Sequence, residues 1–210
     1  MRKAIISIIA VLVLIGSAFG INISSRPFGI NVHNVPNEVL DKVVEAGISW
    51  VRVDVTWYGV EHRRGVFAWA GLDRVIDYAD SRGLSILCTI AYTPDWANDG
   101  KGLRYPPDNI DDWRNFVRLT INRYKNKVRY WTIWNEPNAD DFWALGKDDF
   151  VNQIFVPAAQ VIRENDPSAF IVGPELAHLV GWNAEWYFWM TYILNNAGQY
   201  IDVVSHHIYT

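Results

Sequence analysis

The stretch YWTIWNEPN, residues 130–138, carries an apolar and aromatic run into Asn135-Glu136-Pro137. A lone carboxylate therefore stands where a buried strand should end. Burying an ionised carboxylate is costly unless it is paired, hydrogen-bonded or kept neutral, so Glu136 needs partners. The pattern offers several polar pairs spaced two residues apart, which in a strand share one face. These are Arg52 with Asp54, Asn31 with His33, and His207 with Tyr209. A second glutamate, Glu175, closes the apolar run AFIVGPE. The five histidines are scattered without metal-ligand spacing, so neither a metal nor another cofactor is expected.

Positioning these residues requires strands, and the chain supplies them in alternation with helices. Strand patterns at 27–33, 50–57, 84–93, 128–135, 169–175 and 201–209 are interleaved with helical ones. The helices are predicted over 37–47, with Asn37 as cap and Gly47 as terminator, over 72–83, from near Asp111 to Tyr124, up to the RENDP segment, and over 183–196. Pro157 should kink the fourth helix or mark a fresh start within it. Six such alternations without a hairpin signal imply a parallel sheet covered by helices, either an open doubly wound sheet or a closed barrel.

The faces of the strands choose between the two. In the second strand Val51, Val53 and Val55 share one side, while Trp50, Arg52, Asp54 and Thr56 share the other. Ser205, His207 and Tyr209 share a face of the sixth. An apolar outer face with inward polar groups near the strand ends is the (β/α)8 barrel arrangement. No Gly-rich phosphate fingerprint follows the first strand, which disfavours a dinucleotide fold. A full barrel takes about 250 residues, so the expected fold is α/β, a TIM-type barrel with about its first six βα units present.

Composition agrees with one globular domain: half of the 210 residues are hydrophobic and a fifth are charged. Residues 1–20 combine Arg2 and Lys3, an apolar run from Ala4 to Gly16 and a small-x-small ending. This predicts a signal peptide rather than an uncleaved anchor, with secretion or residence in the cell envelope, and a barrel domain over 21–210. The net charge of −4, or −6 without residues 1–20, suits neither nucleic acid nor an anionic membrane surface. The one basic cluster, Arg123, Lys125, Lys127 and Arg129, falls at a helix end, where cations complement the dipole. Cys88, the single cysteine, sits in the apolar run SILCTI and reads as a small buried hydrophobe. Eleven tryptophans supply both core volume and stacking surfaces.

Four segments in order resemble the glycoside hydrolases of clan A, family 39-like or family 5-like. They are VEHRRGVFAW, AYTPDWA, the Asn135-Glu136-Pro137 motif and SHHIY, each after the expected strand. The resemblance implies a retaining glycosidase acting on a β-linked oligo- or polysaccharide. It makes Glu136 the general acid/base and Asn135 the partner of the sugar hydroxyl beside the anomeric carbon. Arg52 would hold the nucleophile, and His207 and Tyr209 would hold nucleophile and sugar. Asn31, His33, Trp57 and Trp96 are further substrate-binding candidates, and Trp134 and Trp143 also lie near strand ends. For Asn135 and Glu136 to face one sugar, the strand must break between them, with Pro137 as a reason.

Two carboxyl groups are needed, one donating a proton to the leaving oxygen and one facing the anomeric carbon. The clan's nucleophile is a glutamate at the end of strand seven, which is expected beyond residue 210. Glu175 lies on a strand neighbouring that of Glu136, about 4.8 Å away, but a barrel places the required charge across the site. An incomplete chain is expected to be poorly soluble and to have negligible hydrolase activity. The other readings are a non-catalytic sugar-binding relic and a half-barrel completed by another chain.

Overall fold

Val51, Val53 and Val55 are buried and alternate with half-buried Arg52, Asp54 and Thr56 along strand β2, Trp50–Thr56. This alternation sorts the whole fold into an outer apolar layer and an inner polar one. The computed structural model describes residues 27–177 and 184–208. Residues 1–20, and with them the expected signal peptide, lie outside that range, as does Tyr209.

Six strands, β1 Gly29–Val32, β2, β3 Ser85–Ala91, β4 Tyr130–Ile133, β5 Phe170–Leu176 and β6 Val203–His206, pair in chain order. Every pairing is parallel. Parallel neighbours need a crossover, and helices supply it: α1 Asn37–Glu45, α2 Ala70–Ser81, α3 Ile110–Tyr124, α4 Val156–Asn165 and α5 Ala184–Ala197. This is the order and connection of the first six units of a (β/α)8 barrel. β1 and β6 are shorter than their sequence patterns suggest.

The core lies between the outer sheet face and the helices. Val51, Val53, Val55, Ile86, Cys88, Ile90, Trp131, Ile133 and Ile171 meet Val75, Ile76 and Ala79 of α2, Trp113, Phe116, Val117 and Ile121 of α3, and Val161 and Ile162 of α4. Each buried aliphatic side chain contributes about 1.5–3 kcal/mol relative to exposure. Inside the sheet, Trp50, Tyr130 and Phe170 form an aromatic floor, with ring centroids 4.7 and 5.2 Å apart in sequence. Arg52, Thr89 and Thr132 lie above it, joined by bonds from Arg52 Nε to Thr89 Oγ1 and from Thr132 Oγ1 to Thr89 Oγ1, both 2.8 Å.

Helix boundaries follow local chemistry, with one exception. Asn109 caps α3 by accepting from the Asp111 amide, and Gly47, at φ +76°, turns the chain out of α1. Asn37 does not cap α1: Pro36 precedes the helix, and Asn37 Oδ1 instead accepts from Arg74 on α2. Pro157 neither ends the helix nor starts a separate one: it follows directly on π-helical Phe150–Phe155, whose helical backbone continues into α4, so it lies at a change of helix type within one helical run. The basic cluster is structural, with Arg123 on Asp73 and Lys127 on Asp77, both on α2.

Candidate active site

Five non-glycine residues at the strand ends have left-handed backbones: Asn34 at φ +43°, Tyr92 at +70°, Trp134 at +72°, Glu136 at +46° and Glu175 at +56°. Such conformations cost about 1–3 kcal/mol each and persist only where the surroundings impose them. After β4, the turn at Trp134 sends its indole into the core, where Nε1 donates to Phe142 O at 2.9 Å. Asn135 can then face inward, and its Oδ1 accepts from Arg52 Nη2 at 2.8 Å. A second left-handed turn at Glu136 brings the next side chain inward too. Pro137 helps by excluding Glu136 from the right-handed helical region. The Glu136 amide donates to Glu175 O at 2.9 Å, tying this turn to the end of β5.

β5 performs a comparable inversion. Regular alternation would aim Phe170, Val172 and Pro174 inward and Glu175 outward. The register with β6 slips between Pro174 and Leu176, leaving Glu175 in a bulge that points it inward. Asn138 pins the two strand ends together, donating to Ala177 O at 3.0 Å and accepting from the Ala177 amide at 2.8 Å.

His207 then fills the space between two carboxylates. Its amide donates to Leu176 O at 2.7 Å, its Nδ1 lies 2.6 Å from Glu136 Oε1, and its Nε2 lies 3.1 Å from Glu175 Oε2. Arg52 Nη2 is a further 3.1 Å from Glu175 Oε2. Glu136 and Glu175 are 6% and 3% exposed. Burial pushes the Glu175 carboxyl up, but the bond from His207 and the charge of Arg52 outweigh it, and the carboxyl ends below its usual range. Burial lowers His207, yet its two carboxylate partners more than offset this and hold it above the ordinary imidazole value. Burial, then the charge of Asp54, pushes the Tyr92 phenol up to about 12.

The structure thus brings together Arg52, Asn135, Glu136 and His207, and adds Glu175 and Tyr92 to them. An open cavity of about 340 Å³ is lined by Asn31, Arg52, Leu87, Glu175, His207 and Ile208, which makes Asn31 part of its wall. Arg52 does not pair with Asp54, its neighbour on the same strand face. Asp54 Oδ2 instead lies 3.0 Å from His33 Nδ1, and that His33 side chain is 71% exposed, apart from the carboxylate cluster.

The tryptophan assignments need correction. Trp57 is fully buried, with Nε1 donating to Glu61 Oε2 at 2.8 Å and rings of Trp96, Trp113 and Phe116 around it. It cannot stack on a sugar from there. Trp134 and Trp143 are buried likewise and pack edge to face. Trp96 is half-buried, its Nε1 bonded to Glu61 O, and the Arg64 guanidinium lies 4.5 Å from its ring centre. His206 points outward, as its strand position predicts. Asn138 and Tyr92 were not legible as site residues; the only signal was their place just after strands.

Ionisable groups gathered at the C-terminal ends of parallel strands occupy the position at which TIM barrels carry their active sites. The chain belongs to the family described as Cellulase (glycosyl hydrolase family 5), whose profile matches residues 17–209. It is 29% identical over 157 residues to a beta-xylosidase of Caldicellulosiruptor saccharolyticus, an alignment that covers 68% of this chain and 31% of that protein. With endo-1,4-beta-xylanase 3 of Hypocrea jecorina it shares 27% over 144 residues, or 60% of this chain and 38% of the other. The chain therefore spans about a third of the length of these relatives. Among solved structures, a monomeric beta-xylosidase from Caulobacter crescentus CB15 matches with a TM-score of 0.69 at 19% identity, covering 88% of this chain and 42% of that one. A family 39 glycoside hydrolase from Bacteroides cellulosilyticus WH2 matches at 0.66 and 17%, covering 86% and 37%.

Proposed function

We propose that the protein is a retaining glycosidase that cleaves β-linked oligo- or polysaccharides, with Glu136 as general acid/base. The observation that carries this reading is the double left-handed turn around Asn135. It aims a buried carboxyl group and an adjacent amide at the same inner space, with Arg52 holding the amide. In such a reaction the Glu136 carboxyl protonates the leaving oxygen, and its carboxylate later activates water. Asn135 would bind the hydroxyl next to the anomeric carbon. Xylosides are the first substrates to test, because the two sequence relatives described above are named beta-xylosidase and endo-1,4-beta-xylanase.

The second carboxylate is assigned to a residue other than Glu175. Retaining enzymes need two carboxyl groups about 5–5.5 Å apart with the anomeric carbon between them. The imidazole of His207 occupies the space between Glu136 and Glu175, and Arg52 also engages Glu175. The resemblance to clan A points instead to a glutamate beyond residue 210. We also propose export, with residues 1–20 removed; mass spectrometry of secreted protein that retains Met1 would contradict it.

Aryl β-xylosides of graded leaving-group ability test the acid/base role in protein that also carries the second carboxylate. Glu136→Gln should lose activity on poor leaving groups and keep it on good ones. Equal loss on both would remove Glu136 from that role. Sugar binding without any release from any substrate would support a binding protein instead.

A further inference from the structure

Glu175 has no part in the proton transfer just described, yet a bulge and a left-handed backbone turn it into the site. It is 3% exposed, pairs with the Arg52 guanidinium at 3.1 Å, and faces His207 Nε2 while Glu136 faces Nδ1. An imidazole with a carboxylate at each nitrogen has two options. Either it is an imidazolium that donates twice, or it is neutral and one of the two carboxyls carries the proton. Arg52, 3.1 Å from Glu175, makes Glu175 the poorer proton acceptor of the pair.

We propose that Glu175 is a positioning residue for the acid/base: it holds the Nε2–H of His207, so that the proton exchanged with Glu136 is the one on Nδ1. This rests on the reading of Glu136 as acid/base. The step is a transfer of one proton from His207 Nδ1 to Glu136 Oε1. It converts an imidazolium and a carboxylate into a neutral Nε2–H imidazole and a carboxylic acid, and leaves the charges of Glu175 and Arg52 unchanged. Glu136 thereby becomes protonated in a buried site without a proton from solvent. Among the described residues, the ionisable groups on the same inner face are His33 after β1, Arg52 and Asp54 on β2, Tyr92 after β3, Tyr130 on β4, Glu136 after β4 and Glu175 on β5.

The test is nitrogen-15 NMR of histidine-labelled protein across a pH titration, in wild type and Glu175→Gln. The expected wild-type result is a neutral His207 that keeps its proton on Nε2. In Glu175→Gln the midpoint of His207 should move to lower pH, and the Nε2–H preference should weaken. A neutral wild-type His207 protonated on Nδ1 overturns the proposal, as does a midpoint that Glu175→Gln leaves in place. If the variant does not fold, the wild-type tautomer decides alone. None of these readouts needs turnover, so failure of the leaving-group series in protein that carries both carboxylates would count against the glycosidase reading and not against the role of Glu175.

Discussion

Arg52 Nη2 donates to Asn135 Oδ1 at 2.8 Å, joining strands whose residues are 83 positions apart in the chain. The same nitrogen is 3.1 Å from Glu175 Oε2, so one guanidinium organises the ends of β4 and β5. Lysine would keep the charge but not the fork of donors. Arg52→Ala leaves a buried carboxylate with only His207 to compensate it, and should destabilise the protein by about 3–5 kcal/mol. Urea unfolding at neutral pH measures this, and a loss below 1 kcal/mol would show that the pair is not structural.

Stability should peak in mildly acidic solution. The Glu175 carboxyl is held below its ordinary 4.5, so its contribution is complete above that value and fades as pH falls through the lowered one. His207 is held above its ordinary 6.5, so its contribution is complete below 6.5 and fades as pH rises through the raised one. Both act fully between these limits. Melting temperatures across pH 3–9 check this, and His207→Gln should flatten the alkaline slope.

In protein that also carries the second carboxylate, Glu136→Gln should reduce turnover of substrates with poor leaving groups by about 10²–10⁴-fold, the usual contribution of a positioned acid. Dinitrophenyl glycosides, which depart without protonation, should show little change in their first step. A leaving-group series in both proteins separates the two cases.

Trp57→Ala should cost about 3–5 kcal/mol of stability by emptying a fully buried aromatic site. Trp57→Phe should cost less and leave sugar affinity unchanged, since no face of this indole reaches the cavity. Calorimetric titration with xylo-oligosaccharides provides the check; a large affinity loss would return Trp57 to the binding surface.

Asn138→Ala removes two hydrogen bonds to Ala177 and leaves its amide and carbonyl without these partners. The expected cost is about 1–3 kcal/mol. Faster hydrogen exchange at Ala177 and at the Glu136 amide should accompany it, because both tie β4 to β5.

Much of the arrangement was legible before any coordinates. The period-two pattern of β2 fixes which residues meet the helices, and it also turned Arg52 inward. The helical periodicity from near Asp111 to Tyr124 puts Trp113, Phe116, Val117, Ile121 and Tyr124 on one face, and all five are buried, with Thr120 buried beside them. The need for a break at Asn135-Glu136 followed from two adjacent polar residues having to share one side. These are local consequences of backbone geometry and of hydrophobic burial, and a sequence carries them directly. Partner choice is different. Glu175 faces outward by strict alternation and inward only because a bulge interrupts the β5–β6 register. His33 rather than Arg52 meets Asp54 because distances across strands, not along them, decide ion pairs. Trp57 lies at the end of β2, where a sugar platform could stand, yet the packing of α3 and the Trp96 segment closes over it. Local pattern determined the strands, the helices and the inward faces; the choice of partners within those faces depended on tertiary contacts that no single segment contains.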